Sequence, residues 1–451
     1  MCAIPRSGTK KAVGRLDSGL SYGQVPAAGM HRCSFLVLAL LAAAGCSSSS
    51  DGLATHGPTS PVAEASGSSD PGTPPAPTTT VTPPAGPVLT SVRVHYATSP
   101  TSPTSPTSPT APTTPAIKPG DLGIRGSAGP LSWDKSLTLA ATSAGLYTWS
   151  SPDVKADLEV KPLLGDLWSR GPNYRVKPGQ TIDIYPHFTA TQGTVTKKYP
   201  TFTSTKLPST RGIWVYLPPT YVENTEARFG VLYMHDGQNL FTPGVAFGGN
   251  EWKVDETLDA GAEDGSINEV VVVGVENTAA RIDELTPSVD PGYGGGKAPQ
   301  YLSMVIDEIK PMVDHDLRTI PSREQTGVMG SSLGGLASAY AGVHHADVFG
   351  LVGEMSPSTW WDGTMILGEV SSTPTRPAKP LRVYVDSGDS GTSSDDVTNT
   401  TELAARYRKA GYTDSKDLLH VVQAGGQHNE TYWASRLPAA LHFLLGPRPN
   451  L

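Results

Sequence analysis

The sequence predicts an α/β fold with a mostly parallel sheet, preceded by a small β-sandwich. Three observations carry this. From about residue 200 strand-like runs alternate with helical stretches, the pattern of parallel strands joined by crossover helices. Runs such as Val270-Val-Val-Val273 are apolar without alternation, as befits strands covered on both faces. Between 121 and 190, by contrast, short strand-like runs follow one another closely with Gly and Pro between them.

Taken in chain order, the 451 residues begin with a leader. His31-Arg32, the apolar run from Phe35 to Ala44 and Gly45-Cys46 read as a positive region, a hydrophobic segment and a small-residue cleavage site. The run is too short to span a bilayer as a mature helix. The stretch Leu41-Ala-Ala-Ala-Gly-Cys46 resembles a bacterial lipobox, which implies lipidation at Cys46 and an exported protein anchored in a bacterial cell envelope. Met30, directly before this signal, is the expected translation start. Residues 47–87 are mostly Ser, Thr, Pro, Gly and Ala with few large apolar residues, a composition that cannot offset the entropy of ordering and reads as a linker.

The sandwich is expected over 88–196, with a low-complexity insert at 97–118 that contains TSPTSPTSPT. Val92, Val94 and Tyr96 alternate with polar neighbours, and further strands fit 137–140, 146–149, 158–164 and 181–185. The order of Trp133, Trp149 and Trp168 with their neighbours resembles starch-binding and immunoglobulin-like modules, which makes these three indoles candidates for stacking on sugar rings. The second domain is expected over 197–451. Strands fit 212–217, 230–234, 269–275, 325–329, 349–355, 381–386 and 418–423; helices fit 300–316, 335–343, 398–410 and 433–445.

Charge and cysteine content narrow the chemistry. A net charge of −8 without a long basic run gives no electrostatic footprint for nucleic acid. All three cysteines lie in the first fifty residues, so neither domain is expected to hold a disulfide or a cysteine-ligated metal. His235 and Asp236 have no third ligand nearby in sequence, and no metal or cofactor is expected.

Gly330-Ser331-Ser332-Leu333-Gly334 matches G-x-S-x-G between an expected strand and a small-residue helix, the setting of a nucleophile elbow. With 48 glycines the pattern alone arises by chance about half a time per chain, so placement carries the weight. His428 follows the last expected strand and precedes the last helix, where an imidazole can act as general base. The acid belongs just after the 381–386 strand. Asp389 is the first choice; Asp395 or Asp396 serves instead if the loop folds back, and Asp386 sits too early. The N–H of Leu333 and that of Gly237, in His235-Asp-Gly-Gln-Asn239, are the expected oxyanion donors. Trp360, Trp361, Arg281 and Glu284 are candidates for substrate contact, with Arg281 alternatively pairing with Asp283 or Glu284.

Several stretches after Arg211 carry a family likeness: Trp214-Val-Tyr-Leu-Pro-Pro219, Tyr233-Met-His-Asp-Gly-Gln-Asn-Leu-Phe241, Trp252-Lys-Val-Asp-Glu256, Gly330 to Gly335, Ser356-Pro-Ser-Thr-Trp-Trp361 and Gly425-Gly-Gln-His-Asn-Glu430. They resemble the Putative esterase family of the α/β-hydrolase superfamily, which includes enterochelin esterases, feruloyl esterases and S-formylglutathione hydrolases. The resemblance implies an α/β-hydrolase fold and hydrolysis of carboxylic esters through an acyl-enzyme, on carbohydrate-linked, feruloyl-type or siderophore-type esters. Two other readings stand beside it: a non-catalytic glycan-binding surface lipoprotein, and an acyltransferase using the same residues. The expected partners are a small or glycan-linked ester, a polysaccharide and, through the anchor, a membrane.

Overall fold

A computed structural model describes residues 88–98, 121–372 and 381–450. The leader with Met30 and Cys46, the linker and the repeats from 99 onward lie outside the described residues.

Two small sheets form the sandwich. The first has the order β4 (Ala140–Ser143), β5 (Leu146–Ser151), β1 (Thr90–His95), β9 (Thr181–Ile184); the second has β3 (Leu137–Thr138), β2 (Leu122–Gly126), β6 (Leu158–Leu164), β7 (Leu167–Trp168), with β8 (Tyr174–Val176) also on β6. Alternation explains the pairing: in β1 Thr90, Val92 and Val94 point inward, and Val92 and Val94 join Ile124, Val160, Tyr174 and Ile184 in one apolar core. Trp149 is buried in that core, while Trp133 and Trp168 are exposed with their ring centroids 6.2 Å apart.

The larger body is an eight-stranded sheet in the order β10 (Thr194–Thr203), β11 (Thr210–Leu217), β13 (Val270–Val275), β12 (Gly230–His235), β16 (Thr326–Ser332), β17 (Leu351–Pro357), β18 (Arg382–Gly388), β19 (Leu418–Gln423). From β13 to β19 the neighbours run parallel, and β10 and β11 run antiparallel at one edge. Because β10 starts at Thr194, the sheet takes residues 194–196 that the sequence suggests for the sandwich. Most of β10 is solvent-exposed, so it carries no apolar run that would mark a strand.

Helices cover both faces. Val271 and Val273 of β13 pack on one side with α4 (Ala298–Met304), α5 (Lys310–Asp316), α6 (Leu333–His344), α7 (Trp361–Ser372) and α8 (Val397–Lys409). Val270 and Val272 pack on the other with α2 (Val254–Asp264) and α9 (Glu430–Leu445). The four-valine run is therefore buried from both sides. A π-helical turn at Val305–Ile309 joins α4 to α5. The remaining α-helices and strands are α1 (Pro219–Glu223), α3 (Arg281–Leu285) and the hairpin of β14 (Val289–Asp290) and β15 (Gly294–Gly295).

The sandwich is fastened where the parallel strands begin. Glu223 of α1 accepts hydrogen bonds from Tyr96 Oη, from the backbone of Phe188, Thr189 and Ala190, and from Thr189 Oγ1. Asn224 donates to the carbonyls of His95 and Pro186. Burial alone would raise the Glu223 carboxyl, but these donors outweigh it and hold it below the usual range. The opposite end of the sheet, where the parallel strands finish, carries the chemistry-bearing side chains.

Candidate active site

Ser332 closes β16 with φ 57° and ψ −123°, and α6 begins at the next residue. A non-glycine residue in such a conformation costs on the order of 1–3 kcal/mol, which neighbouring packing must supply. The glycines show why the turn has this composition. A Cβ on Gly330 would lie 2.8 Å from His235 Cδ2 and 2.9 Å from the Gly334 carbonyl carbon, and one on Gly335 would lie 2.9 Å from the Met355 carbonyl oxygen. The turn is thus pressed against both the β12 and β17 ends. Leu333 follows as the first residue of α6, whose opening N–H groups have no intrahelical acceptor.

The segment after β12 lies against this elbow. A Cβ on Gly237 would come 2.4 Å from Gly274 carbon, so only glycine fits there. His235 is fully buried, its Nδ1 2.9 Å from Tyr301 Oη, and burial pushes its pKa down to about 4. Its ring therefore stays neutral and packs on the elbow. Asp236 is gripped by Arg281 through Nε and Nη2, both at 2.8 Å, and by Asn277 Nδ2 at 2.6 Å. Burial favours its protonated form, but Arg281 and Asn277 hold the carboxyl below its ordinary value. Arg281 thus pairs with Asp236 rather than with Asp283 or Glu284. Glu284 is buried and receives both Arg211 Nη groups, at 2.9 and 3.1 Å. Asp283 pairs with Lys297.

His428 stands between β19 and α9, and its Nδ1 lies 2.6 Å from Asp395 Oδ1. Of the carboxylates considered in this loop, the structure brings Asp395 to His428 and not the first choice, Asp389, whose Oδ1 instead accepts the Gly425 N–H at 2.7 Å. The reason is the course of the loop after β18. Ser393, Ser394, Asp395 and Asp396 all have φ near 50°, a left-handed run that turns the chain back. Gly388 and Gly426 let the two loops touch: a Cβ on Gly388 would sit 2.1 Å from the Gly426 carbonyl oxygen. Asp395 is 2% exposed, and its Oδ2 accepts from the Gly388 N–H at 2.5 Å and Ser356 Oγ at 2.7 Å. Burial pushes its carboxyl up, but His428, Gly388 and Ser356 outweigh that and keep it low. Asp396 faces elsewhere, accepting from Trp360 N and Asn399 Nδ2, and burial raises its pKa. Asp386 lies beneath the site, bonded by Tyr384 Oη and the Ser356 N–H.

A cavity of about 600 Å³ opens beside His428, lined by Tyr293, Pro357, Trp360, Thr392, Gln427 and Asn429 among others. Trp360 and Tyr293 meet edge to face at 5.5 Å, and both are exposed. Trp361 is not a lining residue: it is 1% exposed and donates through Nε1 to the Ser288 carbonyl. Neighbouring tryptophans thus face opposite ways. Tyr293, on the β14–β15 hairpin, is absent from the sequence-derived candidates because nothing local distinguishes an exposed turn tyrosine from one at a cavity mouth. Ser358, just past β17, donates its N–H to the Ser332 carbonyl, and its Oγ is 3.3 Å from Ser332 Oγ.

The structure thus places the Ser332 hydroxyl on a strained strand-to-helix turn and, at the same end of the sheet, the His428 imidazole bonded to the buried Asp395 carboxylate. The sequence profile of the Putative esterase family matches residues 204–444, more than half of the chain. The chain belongs to this family. It is an esterase of the α/β-hydrolase fold, a carboxylic ester hydrolase. Among curated relatives of this esterase, "Uncharacterized protein YbbA" of Bacillus subtilis (strain 168) is 26% identical over 250 residues, covering 52% of this chain and 93% of that one. Solved structures similar to the esterase include a ferulic acid esterase (23% identity, TM-score 0.45, 56% of this chain and 98% of that chain). Another is the enterobactin esterase FES from Shigella flexneri with enterobactin (17%, 0.45, 73% and 88%). A third is the siderophore hydrolase EstB from Aspergillus nidulans (17%, 0.43, 57% and 97%).

Proposed function

We propose that this esterase works through an acyl-enzyme on Ser332, with His428 as general base and Asp395 holding the imidazole. The observation that carries this is the 2.6 Å bond between His428 Nδ1 and the buried Asp395, because it leaves Nε2 as the nitrogen free to take a proton. Ser332 attacks the ester carbonyl and gives its proton to Nε2. The imidazolium so formed is balanced by Asp395 and returns the proton to the leaving alcohol. Water then repeats the sequence in reverse. The N–H groups of Leu333 and of the Gly237 segment are the donors offered to the oxyanion, supported by the position of Leu333 at the start of α6 and by the packing of the 235–239 stretch on the elbow.

For the substrate we favour an uncharged ester with an aromatic acyl group, of the feruloyl type, over an anionic siderophore. Tyr293 and Trp360 offer ring faces at the cavity, whereas among the described residues lining it there is no lysine or arginine to meet a polyanion. On a panel of feruloyl, p-nitrophenyl and catecholate-siderophore esters, the aromatic neutral esters should be turned over fastest, and Ser332→Ala should lower every rate by about three orders of magnitude or more. Preference for the siderophore would overturn the substrate reading. Export with a lipid on Cys46 is proposed from the leader alone, and should be lost from membranes in Cys46→Ala. Glycan binding by the sandwich is supported by the exposed Trp133 and Trp168 pair, and a pull-down on starch or xylan that is unchanged in the Trp133→Ala, Trp168→Ala double variant would exclude it.

A further inference from the structure

Ser356 is a buried serine whose backbone sits where glycine would be at ease. It lies near the end of β17 with φ 36°, a left-handed value that L side chains adopt at a cost. A sequence gains nothing from a serine there unless its side chain is used, and the side chain has three partners. Its Oγ accepts from Trp433 Nε1 at 3.0 Å and from Arg436 Nη2 at 2.7 Å, and lies 2.7 Å from Asp395 Oδ2. With both lone pairs engaged by donors, the hydroxyl proton is left with one destination, the Asp395 carboxylate.

The donors are themselves fixed. Trp433 and Arg436 are three residues apart on α9 and so share a face. Trp433 also meets the His428 ring edge to face, with centroids 5.1 Å apart. Arg436 is almost wholly buried; its Nε lies 2.9 Å from Asp386 Oδ2 and its Nη1 donates to Gln423 Oε1. Asp386 in turn accepts the Ser356 N–H at 2.9 Å. Asp395 needs such support because it sits in the left-handed run 393–396, a single irregular 3-10 turn between β18 and α8 outside the sheet. Two donors on its Oδ2, Ser356 Oγ and the Gly388 N–H, fix the plane of the carboxylate so that Oδ1 meets His428.

We propose that Ser356 is a positioning residue for ester hydrolysis: its hydroxyl, aimed by Trp433 and Arg436, holds Asp395 at His428 without touching substrate. The inference rests on the reading in which Asp395 orients His428. Its effect belongs in kcat, since a misplaced base slows the chemistry and leaves ground-state binding alone.

Two variants separate positioning from structure. Ser356→Ala and Ser356→Gly both remove the hydroxyl, but only the glycine relieves the backbone. Both should lose about 10- to 100-fold in kcat with KM changed by less than about twofold, and Ser356→Gly should melt higher than Ser356→Ala while being equally slow. In an Asp395→Asn background, Ser356→Gly should cost less than about threefold more, because the group it acts through is already gone. A rate that recovers with stability in Ser356→Gly overturns the proposal, as does a full further loss in the double variant. Should Asp395→Asn be slow and Ser356→Gly run at the parent rate, the positioning role alone falls. Asp395→Asn at the parent rate would overturn the assignment of Asp395 and this inference with it.

Discussion

The two oxygens of Asp395 have different tasks: one faces His428, and the other is tied to Ser356 and Gly388. Asp395→Asn should lower kcat by up to about four orders of magnitude, because an amide can donate to Nδ1 and favour the wrong tautomer. Asp389→Asn should change kcat by less than about fivefold, since its oxygen only receives a backbone N–H and an amide oxygen can still do so. Steady-state rates on a small soluble ester compare the two, and the reverse order would return the role to Asp389. Nothing in the local sequence separates these aspartates, because the difference lies in the left-handed course of 393–396 and in a contact between glycines almost forty residues apart. A second residue-scale consequence concerns pH. His235 is buried with its pKa lowered to about 4, so the unfolded chain takes a proton near pH 6.5 that the folded chain refuses. Its stabilising share is complete above pH 6.5 and is lost as pH falls toward 4. Between pH 7.5 and pH 5 the parent should therefore lose about 2 kcal/mol relative to His235→Gln, which keeps a partner for Tyr301. Urea titrations at the two pH values measure the difference, and parallel pH profiles would contradict it.

Among the elements, the parallel strands are legible in sequence because burial on both faces leaves uninterrupted apolar runs, as in β13, and β12 and β19 begin at the residues expected. The elbow is legible because the glycines around Ser332 answer a steric demand. What escapes is set by distant packing. β10 is an exposed edge strand, and the opposite fates of Trp360 and Trp361 follow from a turn that buries one indole under the 288–295 segment and leaves the next at the cavity. The loops carrying Asp395 and His428 make one unit, joined at Gly388 and Gly426 and by the bond from Ser390 N to the Gly426 carbonyl. Gly388→Ala places a methyl against that carbonyl and must part the loops. Its kcat should fall about 100-fold, as a displacement of about 1 Å between base and acid would produce, while circular dichroism shows the sheet intact. An unchanged rate would show that the loops are not coupled.

For the molecule as a whole, the sandwich and the proposed catalytic site occupy opposite ends of the strands. The sandwich is fastened through Glu223 and Asn224, whereas Ser332, Asp395 and His428 stand where the parallel strands end. Glu223→Ala strips five donors of their shared acceptor, and leaving buried donors unpaired should cost about 3 kcal/mol or more. The thermal midpoint should drop with kcat/KM on a small ester unchanged at 25 °C. Loss of turnover in the folded variant would show that the sandwich helps shape the site after all.

The central claim is that Ser332 forms the covalent intermediate. Treatment of the protein with a fluorophosphonate, followed by proteolysis and mass spectrometry, tests it most directly. The account predicts stoichiometric modification of Ser332 in step with loss of esterase activity, and no labelling in Ser332→Ala. Modification at Ser331 or Ser358 instead, or full activity in Ser332→Ala, would contradict it.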